Sequence, residues 1–248
     1  MFWLVDCAEK ILQDPRRKVK YTYLLINVLS VIIPIAFSFE SKVCFYKRWK
    51  ALAPAILIPA VFFIIWDSIF TELSVWGFNP DYLTGIYIFN LPIEEILFFF
   101  AIPYCCVFSY DVLNHFIKKD VLGKNARHLG MILIYVCIAL AITYSGRSYT
   151  ATTSVFVALF LLFQLMYVKP AYWSRLVLTY LIILIPFFIV NGVLTGTGLD
   201  APVVWYNDKE NLGVRLLTIP IEDTLYGFLL IASNISLYEY FQRRLKLK

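Results

Sequence analysis

The chain has 248 residues, of which 60% are hydrophobic and 16% are charged, and its mean hydropathy is +0.73. Soluble domains are closer to half apolar and a quarter charged, so this composition indicates an integral membrane protein. The length allows about six to eight spanning helices and leaves no room for a large soluble domain as well. The net charge of +5 is typical of loops that face the cytoplasm, and no nucleic-acid partner is expected.

Taken in chain order, residues 1–20 are expected to form an amphipathic extension at the membrane surface. Seven nearly uncharged runs follow, each close to the roughly 20 residues that a bilayer requires. They are 21–39, 51–71, 94–117, 129–146, 148–168, 176–199 and 220–241. Since backbone groups cannot stay unpaired in lipid, runs of this length are expected to be helices. We therefore predict an all-α integral membrane protein with seven transmembrane helices.

Positive charges indicate how the chain is oriented. They are concentrated in alternate loops and in the C-terminal tail: Lys42, Lys47, Arg48, Lys50, Lys118, Lys119, Lys124, Arg127, Lys169, Arg175, Arg243, Arg244, Lys246 and Lys248. The positive-inside rule places these segments, and with them the C-terminus, on the cytoplasmic side. The expected location is a bacterial-type inner membrane. The basic residues of the extension 1–20 fall on the opposite side and contradict this count.

The chain also contains a weak internal repeat. The matching pairs are Trp49 with Trp173 and Asp67 with Asn191, 124 positions apart, then Asn79 with Asn207, Gly85 with Gly213, Pro92 with Pro220 and Glu94 with Glu222, 128 positions apart. The first repeat is 21–117 and the second is 148–242, with 129–146 as a linker helix. Because the linker crosses the membrane once more, the two three-helix repeats (spans 1–3 and 5–7) are expected to be parallel, related by a pseudo-two-fold axis.

Two acidic motifs begin aromatic-rich helices: NLPIEE at residues 90–95 and TIPIED at residues 218–223. Proline is tolerated at the first helical position, and the helix dipole favours acids in the first turn. Such acids are usually caps in soluble proteins, but ionisable groups inside a membrane are costly and suggest function. Parallel repeats would bring Glu94, Glu95, Glu222 and Asp223 to one cavity as catalytic residues. Burial and like charge lead us to expect one retained proton in each pair.

Polar and aromatic residues near the acids form the rest of the predicted site. Asp67, Asn79, Asn191 and Asn207 are candidates for supporting the acids, although Asp67 could instead form a structural hydrogen bond with Asn79. Aromatic residues could line a substrate slot or stabilise a cation with their ring faces. The candidates are Trp66, Trp76, Phe78, Tyr82, Phe98, Trp205, Tyr206 and Tyr226.

Several other chemistries lack the residues that they need. The two histidines, His115 and His128, are too few for a membrane di-iron site. The sequence also contains no DDxxD-like run that would hold Mg²⁺ and diphosphate. The five cysteines have no metal-ligand spacing. The GTGLDA run at 196–201 ends a span instead of joining a strand to a helix, so it predicts no dinucleotide site. We expect no metal and no cofactor, which leaves acid–base chemistry on a hydrophobic substrate.

A family resemblance is carried by the Trp-Asp pair at 66–67, the WGFNPDY run at 76–82 and the two acidic motifs. These segments resemble the lycopene cyclase domain family, over about residues 21–242. Its members are flavin-free carotenoid cyclases that occur as heterodimers, as fused chains or attached to phytoene synthase. In the second repeat Val190 and Asn191 replace the Trp-Asp pair, so the two halves are not chemically equivalent.

The resemblance implies a lycopene β-cyclase of carotenoid biosynthesis, an isomerase that needs no cofactor. Its substrate would be lycopene dissolved in membrane lipid, its products γ-carotene and β-carotene, and other carotenoid enzymes would be candidate partners. Adjacent helical positions differ by about 100°. The two acids of a pair therefore cannot both face the substrate in the same way. Of the two, we expect Glu94 and Glu222 to face it, so that replacing either by Gln abolishes ring formation. Glu95 and Asp223 would then tune them or accept a proton.

Two other functional classes remain open. A proton or small-solute transporter would also use parallel repeats and buried acids, and it predicts a continuous aqueous path and activity without carotenoid. A carotenoid-binding scaffold predicts that the acids can be neutralised without chemical loss. Among enzymes, the alternative is a cyclase that acts on another acyclic carotenoid or on one end only.

Overall fold

The computed structural model describes residues 20–247. The predicted surface extension 1–20 therefore lies outside the described residues, apart from Lys20. The described part is mainly helical, as predicted, and its seven α-helices are α1 Thr22–Phe37, α2 Trp49–Glu72, α3 Ile93–Phe116, α4 Asn125–Thr143, α5 Ser148–Leu162, α6 Trp173–Leu194 and α7 Glu222–Arg244. A 3₁₀ turn, Phe45–Arg48, precedes α2, and a π-helical turn, Phe163–Val168, continues α5.

Five of these helices are long and apolar enough to cross a membrane. They are α2 with its preceding turn, α3, α4, α5 with its π-helical turn, and α6. Helix α1 is apolar but has only 16 residues, which corresponds to about 24 Å at 1.5 Å per residue. Helix α7 has 23 residues, but acidic residues in its first turn and Glu239, Arg243 and Arg244 near its end reduce its apolar character.

Short strands lie in the loops between the helices. The apolar runs of the sequence predicted only helices and did not predict these strands. Strand β1 (Trp76–Phe78) pairs antiparallel with β4 (Val204–Tyr206). Two hairpins, β2 (Tyr87–Ile88) with β3 (Leu91–Pro92) and β5 (Arg215–Leu216) with β6 (Ile219–Pro220), lead into α3 and α7. Gly77 lies opposite Trp205, and a Cβ there would be 2.4 Å from the Trp205 ring. Glycine therefore allows β1 and the loop after α6 to meet.

Helices α3 and α7 form the centre of the fold and run side by side in the same direction. Near their C-terminal ends, the Tyr110 hydroxyl donates to Glu239 at 2.7 Å and the Tyr238 hydroxyl donates to Asp111 at 3.0 Å. Outside this central pair, α1 packs on α3 and α5 packs on α7, while α2 contacts α7 and α6 contacts α3. The first turns of α3 and α7, with their acidic motifs, consequently lie at the same end of the bundle.

Candidate functional site

Three carboxylates meet at a cavity of about 80 Å³ beside the first turns of α3 and α7. Asp67 reaches it from α2, Glu95 from α3 and Asp223 from α7. Their exposed fractions are 2%, 8% and 6%, so all three are buried in the protein. Acidic side chains from both halves of the chain are thus brought to one cavity.

Each of these carboxylates accepts a hydrogen bond from an aromatic side chain. The Tyr23 hydroxyl donates to Glu95 Oε2 at 2.5 Å. Asp223 accepts twice, from the Tyr149 hydroxyl at 2.5 Å and from the Tyr206 hydroxyl at 2.9 Å. Burial, and then the neighbouring Asp223 charge, raises the pKa of the Tyr206 phenol well above its ordinary value. Tyr206, which lies in strand β4, therefore stays protonated and acts as a donor.

Asp67 does not form the alternative hydrogen bond with Asn79 that the sequence left open. Its Oδ1 accepts from the Trp76 indole N–H, and it does not pair with Asn79, whose side-chain oxygen instead accepts from the Asp81 backbone N–H at 3.0 Å. Asn207 makes the same turn bond, to the Lys209 N–H at 3.1 Å. These two asparagines stabilise their own loops because an Asx side chain readily bonds the backbone two residues on. Of the predicted asparagines, Asn191 lines the cavity.

Glu94 and Glu222, which we expected from the sequence to face the substrate, are buried but do not line this cavity. Glu94 Oε1 accepts from the Thr84 backbone N–H at 2.6 Å. Glu222 Oε1 accepts from the Leu212 backbone N–H at 2.7 Å and from the Thr150 hydroxyl at 2.6 Å. The loop before each helix folds back onto the first turn of that helix. There the first acid of the motif, Glu94 or Glu222, accepts a hydrogen bond from a backbone N–H of the loop. The second acid of each motif then points to the cavity.

This geometry predicts that Glu94→Ala destabilises the protein, because the Thr84 N–H loses its acceptor. Hydrogen bonds to charged groups contribute about 1.5–3 kcal/mol, so the melting temperature in detergent should fall clearly. Glu94→Gln retains an oxygen acceptor and should lose less stability. A melting temperature of Glu94→Ala equal to that of the wild type would contradict this structural role.

Five of the eight predicted substrate-binding aromatics line the cavity: Trp76, Phe78, Phe98, Tyr206 and Tyr226. The other three lie elsewhere. Trp66 packs in the core against Phe63 and Phe156, and the Tyr82 hydroxyl accepts from the Ala201 backbone N–H at 3.2 Å. Trp205 covers Gly77 and is 41% exposed. Proximity to the acids in sequence therefore did not show which aromatic residues line the cavity and which lie in the core or the loops.

Sequence reasoning missed Tyr23 and Tyr149, the donors to the two catalytic candidates. They lie 126 positions apart, at the starts of α1 and α5. This spacing differs from the 124 and 128 positions of the repeat, so the repeat alone does not pair these two tyrosines. Other missed wall residues include Ile102, Phe187, Leu194, Thr195, Val204, Gly227, Leu230 and Ile231.

Aromatic rings are clustered directly at the carboxylates. Trp76 and Tyr149 meet edge to face with centroids 5.0 Å apart, and Tyr149 stacks with Tyr206 at 6.0 Å. Tyr226 lies 6.1 Å from Trp76. Ring faces attract a positive charge, and this attraction is stronger where water is excluded. The site can therefore give and take protons and also stabilise a cation between those steps.

The comparisons with known proteins agree on one family. The family model described as Lycopene cyclase matches residues 20–113 and 146–241. A bifunctional lycopene cyclase/phytoene synthase from Aspergillus oryzae is 24% identical over 115 residues, which are 41% of this chain and 20% of that relative. The protein of the same name from Colletotrichum graminicola is 30% identical over 96 residues, 38% of this chain and 16% of that relative. The alignments thus span a fifth or less of these relatives, and no solved structure matches the chain significantly.

Proposed function

Because this chain belongs to the lycopene cyclase family, we propose that it is a lycopene β-cyclase, which converts the acyclic ψ-end groups of lycopene into β-ionone rings. The observation that carries this proposal is the buried cavity in which Asp67, Glu95 and Asp223 meet among aromatic rings. Such a site has the acids, the base and the cation-stabilising surface that cofactor-free cyclisation requires.

The proposed reaction adds one proton and removes one. A carboxylic acid protonates C2 of the ψ-end, which leaves a tertiary cation at C1. The electrons of the C5=C6 double bond then form the C1–C6 bond, and the positive charge moves to C5. Loss of the C6 proton to a carboxylate restores the C5=C6 double bond and completes the β-ionone ring. Substrate and product are isomers, so the reaction needs no oxidant or reductant.

The two cavity-facing motif acids are assigned opposite roles. Glu95 accepts one hydrogen bond, from Tyr23, whereas Asp223 accepts two, from Tyr149 and Tyr206. A carboxylate with more donors is the better stabilised anion. We therefore assign Asp223 as the base that accepts the C6 proton and Glu95 as the acid that protonates C2. Asp67 holds the Trp76 indole beside the cavity, where the ring can stabilise the cation.

The proposal includes seven membrane spans, arranged as two parallel repeats, 21–117 and 148–242, with α4 as the linker helix. Three observations support it. The two segments matched by the family model start 126 positions apart and end 128 apart. The tyrosine–acid bonds between α3 and α7 are reciprocal. Gly77 and Trp205, which are 128 positions apart, face each other in the β1–β4 pair, as expected beside a two-fold axis. The basic loops and the C-terminus are proposed to face the cytoplasm.

Expression in a bacterial host that accumulates lycopene tests the function. Pigment extraction and chromatography should show γ-carotene and β-carotene in place of lycopene. A monocyclic end product would identify a monocyclase instead. Unchanged lycopene in cells that contain the protein in their membranes would overturn the proposal.

A further inference from the structure

A second, larger cavity of about 490 Å³ lies between α1, α3 and α6. We call it the lateral groove. It adjoins the carboxylate cavity, because both are lined by Phe98, Ile102, Phe187, Asn191 and Ile231. The groove wall is largely apolar, and two of its few polar groups are already bonded within the protein. The Ser30 hydroxyl donates to the Ile26 carbonyl at 2.7 Å, and the Cys105 thiol donates to the Ser30 carbonyl at 3.2 Å.

In the proposed repeat, the corresponding positions of the other half carry aromatic rings. Helices α1 and α5 correspond at the 126-residue spacing of Tyr23 and Tyr149, so Phe156 occupies the place of Ser30. At the 124-residue spacing of α2 and α6, Trp66 and Phe62 occupy the places of Val190 and Pro186. The Phe156 ring packs 5.0 Å from Trp66 and 5.3 Å from Phe62. Three smaller side chains therefore line the lateral groove where three large rings meet in the other half.

We propose that the lateral groove binds the polyene chain of the substrate while one end group occupies the carboxylate cavity. This inference rests on the proposed function. The cavity of about 80 Å³ cannot enclose a whole carotenoid, so the remaining chain must leave it, and the shared wall residues lead into the groove. Leu29, Ile33 and Ile189 at the groove are 64%, 63% and 65% exposed, on helices that are apolar as in a membrane.

A conjugated polyene suits this groove better than an ordinary lipid tail. Lipid tails are as apolar as the wall, so apolarity alone cannot select the occupant. A stiff polyene, by contrast, has few rotatable bonds and loses little conformational entropy when it is ordered, whereas a flexible acyl chain loses much more. The groove is open in one half, whereas aromatic rings fill the corresponding position in the other half. The polyene chain therefore leaves the carboxylate cavity on the side of the groove.

Filling the lateral groove tests the inference. Ser30→Phe combined with Val190→Trp introduces the aromatic residues found at the corresponding positions of the other half. Conversion of lycopene should fall roughly tenfold or more, because a displaced substrate reacts far more slowly. Val28→Phe is the matched control, since Val28 lies on the same helix, is 46% exposed and does not line the groove. It should convert lycopene at the wild-type rate.

A direct binding measurement complements the rates. In a Glu95→Gln background, lycopene that co-purifies with the detergent-solubilised protein is measured by its absorbance, and the groove-filling pair should reduce it. A graded series, Ser30→Ala, Ser30→Val and Ser30→Leu, serves if the large variants do not accumulate in membranes, and conversion should fall with side-chain size. Wild-type conversion by the double variant, or a flat graded series, overturns the groove assignment. Lack of any cyclic product from the wild-type protein refutes the proposed function instead.

Discussion

Glu95→Gln should reduce ring formation by about 100-fold or more, the scale of general acid–base catalysis, without changing the amount of protein in the membrane. Gln has nearly the same shape as Glu and keeps an oxygen that can accept from the Tyr23 hydroxyl, which lies 2.5 Å from Glu95 Oε2. A carboxamide cannot protonate an alkene, so the first step of the proposed reaction should stop while the fold remains intact.

Conversion of lycopene by isolated membranes measures this effect. Glu72→Gln is the matched control, because it makes the same chemical change at an exposed residue at the end of α2 and should leave conversion unchanged. Glu94→Gln should also be much less harmful than Glu95→Gln, since Glu94 bonds the Thr84 N–H outside the cavity. Abundant β-carotene from Glu95→Gln would remove Glu95 from the mechanism.

Asp223→Asn should lower ring formation to a similar extent, about 100-fold, and should also change the products. Asn can occupy the same space beside Tyr149 and Tyr206, but it is too weak a base to accept the C6 proton. A cation that still forms would then lose a proton from another carbon next to C5. The residual pigment should consequently contain rings whose double bond lies outside the β position.

Chromatography with mass and absorption spectra distinguishes these ring isomers. Asp200→Asn provides the control, because Asp200 is an exposed loop residue that does not line the cavity. If Asp223→Asn were to make only β-rings at a reduced rate, Asp223 would not be the base that removes the C6 proton. Normal β-carotene formation at the wild-type rate would exclude Asp223 from the chemistry altogether.

The helices follow closely from the sequence. The apolar run 51–71 lies within α2, Trp49–Glu72, and the run 94–117 nearly coincides with α3, Ile93–Phe116. This agreement has a physical cause, since a long apolar run in lipid can pair its backbone groups only by forming a helix. The three strand pairs were not predicted, because pairings of two or three residues have no periodic pattern and depend on contacts between distant loops.

The sequence alone determined that acids from two related motifs belong at the starts of two apolar helices, because proline and adjacent carboxylates are favourable there. Only the tertiary structure decided which acid of each pair faces the cavity. Helical geometry separates neighbouring side chains by about 100° but does not say which of them points inward. That choice depends on the Thr84 and Leu212 N–H groups, ten residues earlier, which bind Glu94 and Glu222 and leave Glu95 and Asp223 beside the tyrosines of α1 and α5.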